Sequence, residues 1–163
     1  MSGLFDDEAV GAITSFHGDH RWLSNFWPCR VEFEGAVYPS VENAYQAAKF
    51  SPVERSVFVL CTSGQAKRLG RSMSMRPDWD SVKVDVMRAA LAQKFAPGTD
   101  FAAKLLATGD VDLVEGNTWG DAFWGVCNGK GHNHLGRLLM ERRAQLHQPL
   151  AAPVPSARKG PQP

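Results

Sequence analysis

The stretch "YPSVENAYQAAKF", Tyr38 to Phe50, is where the chain changes from one hydrophobic period to another. Just before it, "CRVEFEGAVY" alternates: Val31 and Phe33 fall on one face, Glu32 and Glu34 on the other, and Gly35 stands where a turn would reverse the chain. That is the pattern of an antiparallel hairpin. From Ser40 onward, Val41, Ala44, Tyr45 and Ala48 recur at i, i+3, i+4 and i+7, an apolar helical stripe. Ser40 is placed to cap that helix, its hydroxyl accepting from a free N–H of the first turn. A second column, Glu42, Gln46 and Lys49, runs at i, i+4 and i+7 with Tyr45 at i+3. A polar column normally lies opposite the apolar one; this one borders it.

That border position has two readings. By residue type, Glu42 is a first-turn acid that complements the helix dipole, worth about 0.3–1 kcal/mol at a surface, and Lys49 is a lysine snorkelling to water. By spacing, Glu42 is a carboxylate half out of water that reaches a cleft, where it can hold a water or stabilise a growing positive charge. Lys49 would then steady that charge or meet a phosphate.

Working outward, "AITSFHG" has a short strand pattern. Pro52 can open a second helix, "PVERSVFVLCT". "GQAKRLGRS" reads as a short helix closed by Gly70. "DWDSVKVDVMRAALAQKF" is the longest helix, with Val82, Val86, Ala89, Ala90 and Leu91 inward and Pro97 and Gly98 ending it. "DFAAKLLAT" makes a shorter helix ending at Gly109, "VDLVEGN" a short strand, and a glycine-rich loop over 125–136 feeds a last helix, "HLGRLLMERRAQLH". Helices dominate and a small antiparallel sheet sits near the front: the fold class is α+β, a single helix-rich compact domain. Residues 1–11 read as a flexible leader and 12–147 as the domain. Residues 148–163, with five of the 10 prolines, read as a flexible tail.

The chain has 163 residues and 44% hydrophobic content, enough for one core. No apolar run approaches the ~18–20 residues of a membrane span, and "MSGLFDDEAV" lacks the basic start of a signal peptide. Cys29, Cys61 and Cys127 are an odd number without framework spacing, which predicts reduced thiols in a cytoplasmic protein. A net charge of +1 argues against coating long nucleic acid, though a few local Arg and Lys suffice for a phosphorylated ligand or one modified nucleotide. No obligate protein partner is evident.

Three further segments carry candidate chemistry. "SFHGDHRWLSNFWPC" gathers Arg21, Trp22, Asn25, Phe26 and Trp27 with two histidines, a mixture suited to a planar heterocycle on a hydroxylated sugar and equally to a packed core segment. "NTWGDAFWGVCNGKGHNHLG" sets Asp121 between Trp119 and Trp124, with Gly125, Gly129, Gly131 and Gly136 permitting a close backbone, Lys130 nearby, and a helix N-terminus that favours an anion. "GRSMSMRPDWDSV" offers Arg71 and Arg76, each able to clamp a phosphate or to form a solvated ion pair. Cys127, His132 and His134 lack zinc-ligand spacing, so no metal site is expected.

"FHGDHRWLSNFWPC", "YPSVENAYQAAKF", "GRSMSMRPDWDSVKVDVMRAAL" with "QKF", and "WGDAFWGVCNGKGHNHLGRLLMERR" occur in that order, and together they resemble the NADAR family of YbiA-like N-glycosidases from about Ile13 to Gln145. The resemblance implies a compact, helix-rich α+β domain that cleaves N-glycosidic bonds without a cofactor. It implies a substrate that is either a ribosylamino-pyrimidine phosphate of the riboflavin pathway or ADP-ribose on a guanine base, free or in nucleic acid. The acid of the family's "SEHxxQAxKF" motif falls on Glu42, the following residues on Tyr45, Gln46 and Lys49, and the Trp-Gly loop acid on or near Asp121; Asn43 stands where that motif often has histidine. Glu42 would stabilise an oxocarbenium-like state and activate water, with Asp121 or Lys49 assisting the leaving nitrogen. The aromatic loop would stack the base, and Arg71, Lys130 and the loop amides would hold phosphate. Two other classes stay open: a nucleotide or ADP-ribose reader without turnover, and an interaction protein in which the Glu42 column is only a solvated helix face.

Overall fold

The computed structural model describes residues 11–148; the leader and tail expected from the sequence lie, but for Gly11 and Gln148, outside them. A 3-10 turn over Gly18–Leu23 leads into β1 (Pro28–Phe33), which pairs antiparallel with β2 (Ala36–Ser40). Val31 stands opposite Tyr38 and Phe33 opposite Ala36. Glu34 and Gly35 turn the hairpin with φ of 44° and 85°, the double left-handed geometry that matches strand twist in a two-residue loop. Then follow α1 (Val41–Ala48), a 3-10 turn (Pro52–Glu54), α2 (Val57–Leu60), α3 (Ser63–Ser72), α4 (Trp79–Lys94) and α5 (Asp100–Ala107). The two-residue strands β3 (Gly116–Asn117) and β4 (Val126–Cys127) pair in parallel, and α6 (His134–His147) closes the described chain. The α+β reading holds. The second sheet is too short to leave a periodic signal.

Helix α1 is the hub. All eight of its residues are buried, and it packs on β1, β2, α2, α3 and α4. Ser40 caps it as expected, accepting from the Asn43 N–H at 3.0 Å. Asn43 is spent on structure. Its Nδ2 donates to the carbonyls of Phe58 and Cys61, both at 2.8 Å, and so ties α1 to the far end of α2. Around the hub the core gathers Leu23, Val31, Phe50, Phe58, Leu91, Phe95, Leu105, Leu135 and Leu139, with Phe50 stacked on Phe58 at 5.5 Å.

Four local expectations are corrected. The segment after Pro52 forms a 3-10 turn and a four-residue helix in place of one continuous helix, because Arg55 turns inward to donate to the Phe50 carbonyl and pair with Glu34. Gly70 does not close α3; it is buried inside it, where a Cβ would collide with Gln46 Oε1. On α4 Val82, Val86, Ala90 and Leu91 pack inward as expected, but Ala89 is exposed, and Trp79, Met87 and Lys94 join the buried face. Lys94 is buried because its ammonium donates to the Ser24 carbonyl at 2.9 Å. "AITSFHG" contributes a single bridge, Ile13 to Leu113, in place of a strand.

Candidate active site

One face of α1 and one face of α3 converge on a cleft of about 790 Å³. From α1 come Glu42, Tyr45, Gln46 and Lys49; from α3 come Gly64, Lys67, Arg68 and Arg71. Both sets are spaced i, i+3, i+4, i+7, so each helix gives the cleft one continuous column. The column of α1 is acid, phenol, amide and amine. That of α3 is cationic, and none of its three cations forms an ion pair among the described residues. The remaining walls are the 16–27 segment, Met87 of α4, and the loop from Glu115 to Trp124.

Glu42 lies at the centre with 7% of its surface exposed. Its backbone N–H donates to the Asn25 carbonyl at 3.0 Å, and its Oε1 accepts from Gln46 Nε2 at 2.8 Å. Burial pushes its pKa above the ordinary carboxylate range, while the Gln46 hydrogen bond and the charges of Lys67, Lys49 and Arg71 pull against that rise. Burial likewise lowers the Lys49 pKa, against the opposing charge of Glu42. The Lys49 ammonium sits 5.2 Å from the Tyr45 ring centre and 5.8 Å from that of Trp79, at cation–π distance. Tyr45 is itself fixed: Trp124 Nε1 donates to its hydroxyl at 3.1 Å, and its ring meets Trp79 and Trp124 edge-on.

Asp121 reaches the cleft, but its Oδ1 accepts from the backbone N–H groups of Phe123 and Trp124 at 3.1 and 2.9 Å, which shapes its own loop. At the rim, Lys67 lies between the rings of Phe26 and Trp119, at 5.5 and 5.7 Å. Both rings are exposed, at 41% and 51%. Three acceptor oxygens in the lining are shut off from solvent without a partner among the described residues: Asn25 Oδ1, Gln46 Oε1 and Glu115 Oε2. Buried acceptors of this kind are costly unless a donor reaches them; Gln46 Oε1 is held against Gly70 of α3.

The chain has counterparts among known proteins. The family model for the NADAR domain matches residues 14–147. The chain belongs to the NADAR family. It is 42% identical over 135 residues to the N-glycosidase YbiA of Escherichia coli, covering 78% of this chain and 82% of that protein. It is 38% identical over 137 residues to an N-glycosidase of Nostoc punctiforme, covering 79% and 87%. A riboflavin biosynthesis protein of Vibrio vulnificus is 42% identical over 135 residues, 80% of this chain but only 36% of that longer protein. The NMR structure of E. coli YbiA superposes with a TM-score of 0.73 at 39% identity, over 83% of this chain and 84% of that one. This NADAR domain is an N-glycosyl hydrolase in the same class as those N-glycosidases.

Within the NADAR domain, most of the residues singled out from the sequence meet at one place: Arg21, Asn25, Phe26, Glu42, Tyr45, Gln46, Lys49, Arg71, Trp119, Asp121 and Trp124 all line the cleft. Trp22, Gly125 and Lys130 are not among its lining residues. Trp22 turns to the opposite side, edge-on to Phe95 at 6.3 Å. Gly125 serves close packing, because a Cβ there would strike the Glu115 carbonyl. Four amides at the end of the loop are not free for phosphate either: the N–H groups of His132, Asn133, His134 and Leu135 donate to the carbonyls of Ala122, Gly125, Phe123 and Trp124. Arg76 forms a two-pronged ion pair with Asp78 at 2.6 and 2.7 Å. Among the described residues, no three His, Cys, Asp or Glu side chains stand together as a metal site. Sequence reasoning missed Lys67, Arg68 and Glu115. The first two were within reach, since they share the helical column of Arg71.

Proposed function

We propose that this domain hydrolyses the N-glycosidic bond of a ribosylamino-pyrimidine phosphate, with Glu42 as the central carboxylate. The observation that carries the reading is Glu42 itself: a nearly buried acid at the centre of an aromatic-walled cleft, oriented by Gln46 and ringed by Lys67, Lys49 and Arg71. Cleaving the C1′–N bond builds positive charge on the ribose, and a fixed carboxylate stabilises that charge without reorganising. The same group can take a proton from the water that adds to C1′.

Around it the other roles divide by residue type. Lys49 holds the charge state of Glu42. Lys67, Arg68 and Arg71 supply cations for a ribose phosphate. Phe26, Trp119 and Trp124 offer aromatic faces to the base, and Arg21, stacked over Trp27 at 5.0 Å, adds a cation to the lining. Asn25 and Gln46 line the cleft beside Glu42, and Gln46 already donates its amide N–H to that carboxylate. Asp121 fixes the loop that carries Trp119 and Trp124. The riboflavin biosynthesis names of the Vibrio relative and of a maize relative 34% identical over 144 residues support a pathway metabolite as substrate. The exposed Phe26 and Trp119 at the rim favour a second reading, in which the bond is that between ADP-ribose and a guanine base whose bulk remains outside the cleft. Three free cysteines support a reducing, cytoplasmic setting.

Mass spectrometry after incubation with a ribosylaminopyrimidine 5′-phosphate and, separately, with ADP-ribosylated guanosine tests the proposal. Release of free pyrimidine amine and ribose phosphate is expected. Turnover of only the guanosine adduct would favour the second reading, and binding of either without turnover would make the domain a nucleotide reader.

A further inference from the structure

Glu115 is the one acid in the cleft with no assigned task. Its backbone is clamped: its N–H donates to Asn133 Oδ1 at 3.0 Å, and its carbonyl accepts from the Val126 N–H at 2.9 Å. Asn133 anchors the same segment again by donating to the Leu113 carbonyl at 2.9 Å. Glu115 thus lines the cleft from a fixed base, and its Oε2 is shut off from solvent with no partner among the described residues. Glu42, on a different element, differs in the surroundings of its carboxyl. It has a hydrogen-bond donor in Gln46 and three cations acting on it.

Resting on the N-glycosidase reading above, we propose that Glu115 is the catalytic acid that protonates the departing nitrogen while Glu42 acts as the carboxylate. Two carboxyl groups in one cleft with unequal surroundings divide acid from base. As the C1′–N bond breaks, its electron pair goes to nitrogen, which takes the proton from the Glu115 carboxyl. Water adds to C1′ and gives a proton to Glu42. Exchange with solvent returns the proton to Glu115 and removes it from Glu42, so the net reaction is hydrolysis. Burial, with Asp121 and Glu42 adding to it and Lys67 opposing, pushes the Glu115 pKa up to about 8, so the acid form is present at neutral pH.

Two probes separate this role from a structural one. A ribosylaminopyrimidine 5′-phosphate needs a proton on its leaving nitrogen; 4-nitrophenyl β-D-ribofuranoside 5-phosphate expels a stable phenolate and needs none. Glu115→Gln should lose ~10²–10⁴-fold in kcat/KM on the first probe, the range of one general acid, and no more than about 3-fold on the second. Glu42→Gln should lose on both. The wild-type rate on the first probe should fall as pH rises through about 8, a limb absent with the second probe and absent in Glu115→Gln. Equal losses on both probes, no loss on either, or an alkaline limb that persists in Glu115→Gln would overturn the assignment. If Glu115→Gln does not fold, the wild-type pH profiles on the two probes decide alone. If only the first probe is turned over, the limb in Glu115→Gln decides. A wild-type protein that cleaves neither probe removes the ribosylaminopyrimidine reading, and this assignment with it, whereas turnover of both with a Glu115-independent limb removes this assignment only.

Discussion

At the scale of single residues, opposed environments organise the chemistry. Glu42 and Glu115 both resist ionisation because they are buried, but Glu42 has Gln46 and three cations to hold its charge, and Glu115 has two acids beside it and one lysine. For Glu42, activity should rise as pH rises through a pKa displaced above the usual carboxylate value; for Glu115, it should fall through about 8. The two apparent values belong to the coupled pair. The same shift predicts a stability effect. Glu115 ionises near 4.5 in an unfolded chain and near 8 in the fold. Its contribution to stability is therefore full below about pH 4.5 and is lost as pH rises through about 8. Glu115→Gln should melt above wild type at pH 8 and level with it near pH 4.5. Thermal melts at the two pH values check this, and a variant that melts below wild type at both would contradict it. Glu115 escaped the sequence reading because "VDLVEGN" reads as an ordinary strand. Its place on the cleft depends on backbone anchors distant in sequence, to Asn133, 18 residues on, and to Val126.

At the scale of elements, what was legible followed periodicity. The column Glu42, Tyr45, Gln46, Lys49 was readable because α1 follows its period from Ser40 without interruption. The hairpin was readable from alternation and one glycine. Gly70 was misread because a glycine near a helix end resembles a stop, and only the packing of α3 on α1 shows that it makes room for Gln46. Gly70→Ala should therefore fail to gain the ~1 kcal/mol that alanine offers over glycine inside a helix. It should displace Gln46 from Glu42 and lower the hydrolysis rate by about 10–10²-fold, as small misplacements of catalytic groups do. A more stable, fully active Gly70→Ala would contradict this. Asn43→Ala should act on the element alone. It leaves the buried carbonyls of Phe58 and Cys61 unpaired, at about 1–3 kcal/mol each. Melting should drop by ~5 °C or more, with the remaining folded protein retaining its affinity for ribose phosphate.

At the scale of the whole molecule, the site is the meeting of five separate pieces of chain: the 16–27 segment, α1, α3, Met87 of α4 and the 115–124 loop. No single motif specifies such a convergence, which is why Trp22 and Lys130 could be grouped with the site by neighbourhood in sequence yet stand away from its lining. The described residues include no helix long and apolar enough to cross a membrane. Every role assigned here is carried by carboxyl, amide, aromatic and cationic side chains, so the rate should be unchanged by EDTA; activity lost to the chelator and restored by zinc would return attention to Cys127, His132 and His134. All of the proposed chemistry converges on the charge of Glu42. The most direct test is the single-turnover rate of Glu42→Gln on a ribosylaminopyrimidine 5′-phosphate, measured beside wild type in protein shown to be folded. Glutamine keeps the shape and loses the charge, so the rate should fall by ~10²–10⁴-fold while substrate affinity stays within a few-fold. A Glu42→Gln protein that turns over this substrate at the wild-type rate would contradict the account and leave Glu42 as a helix-dipole acid.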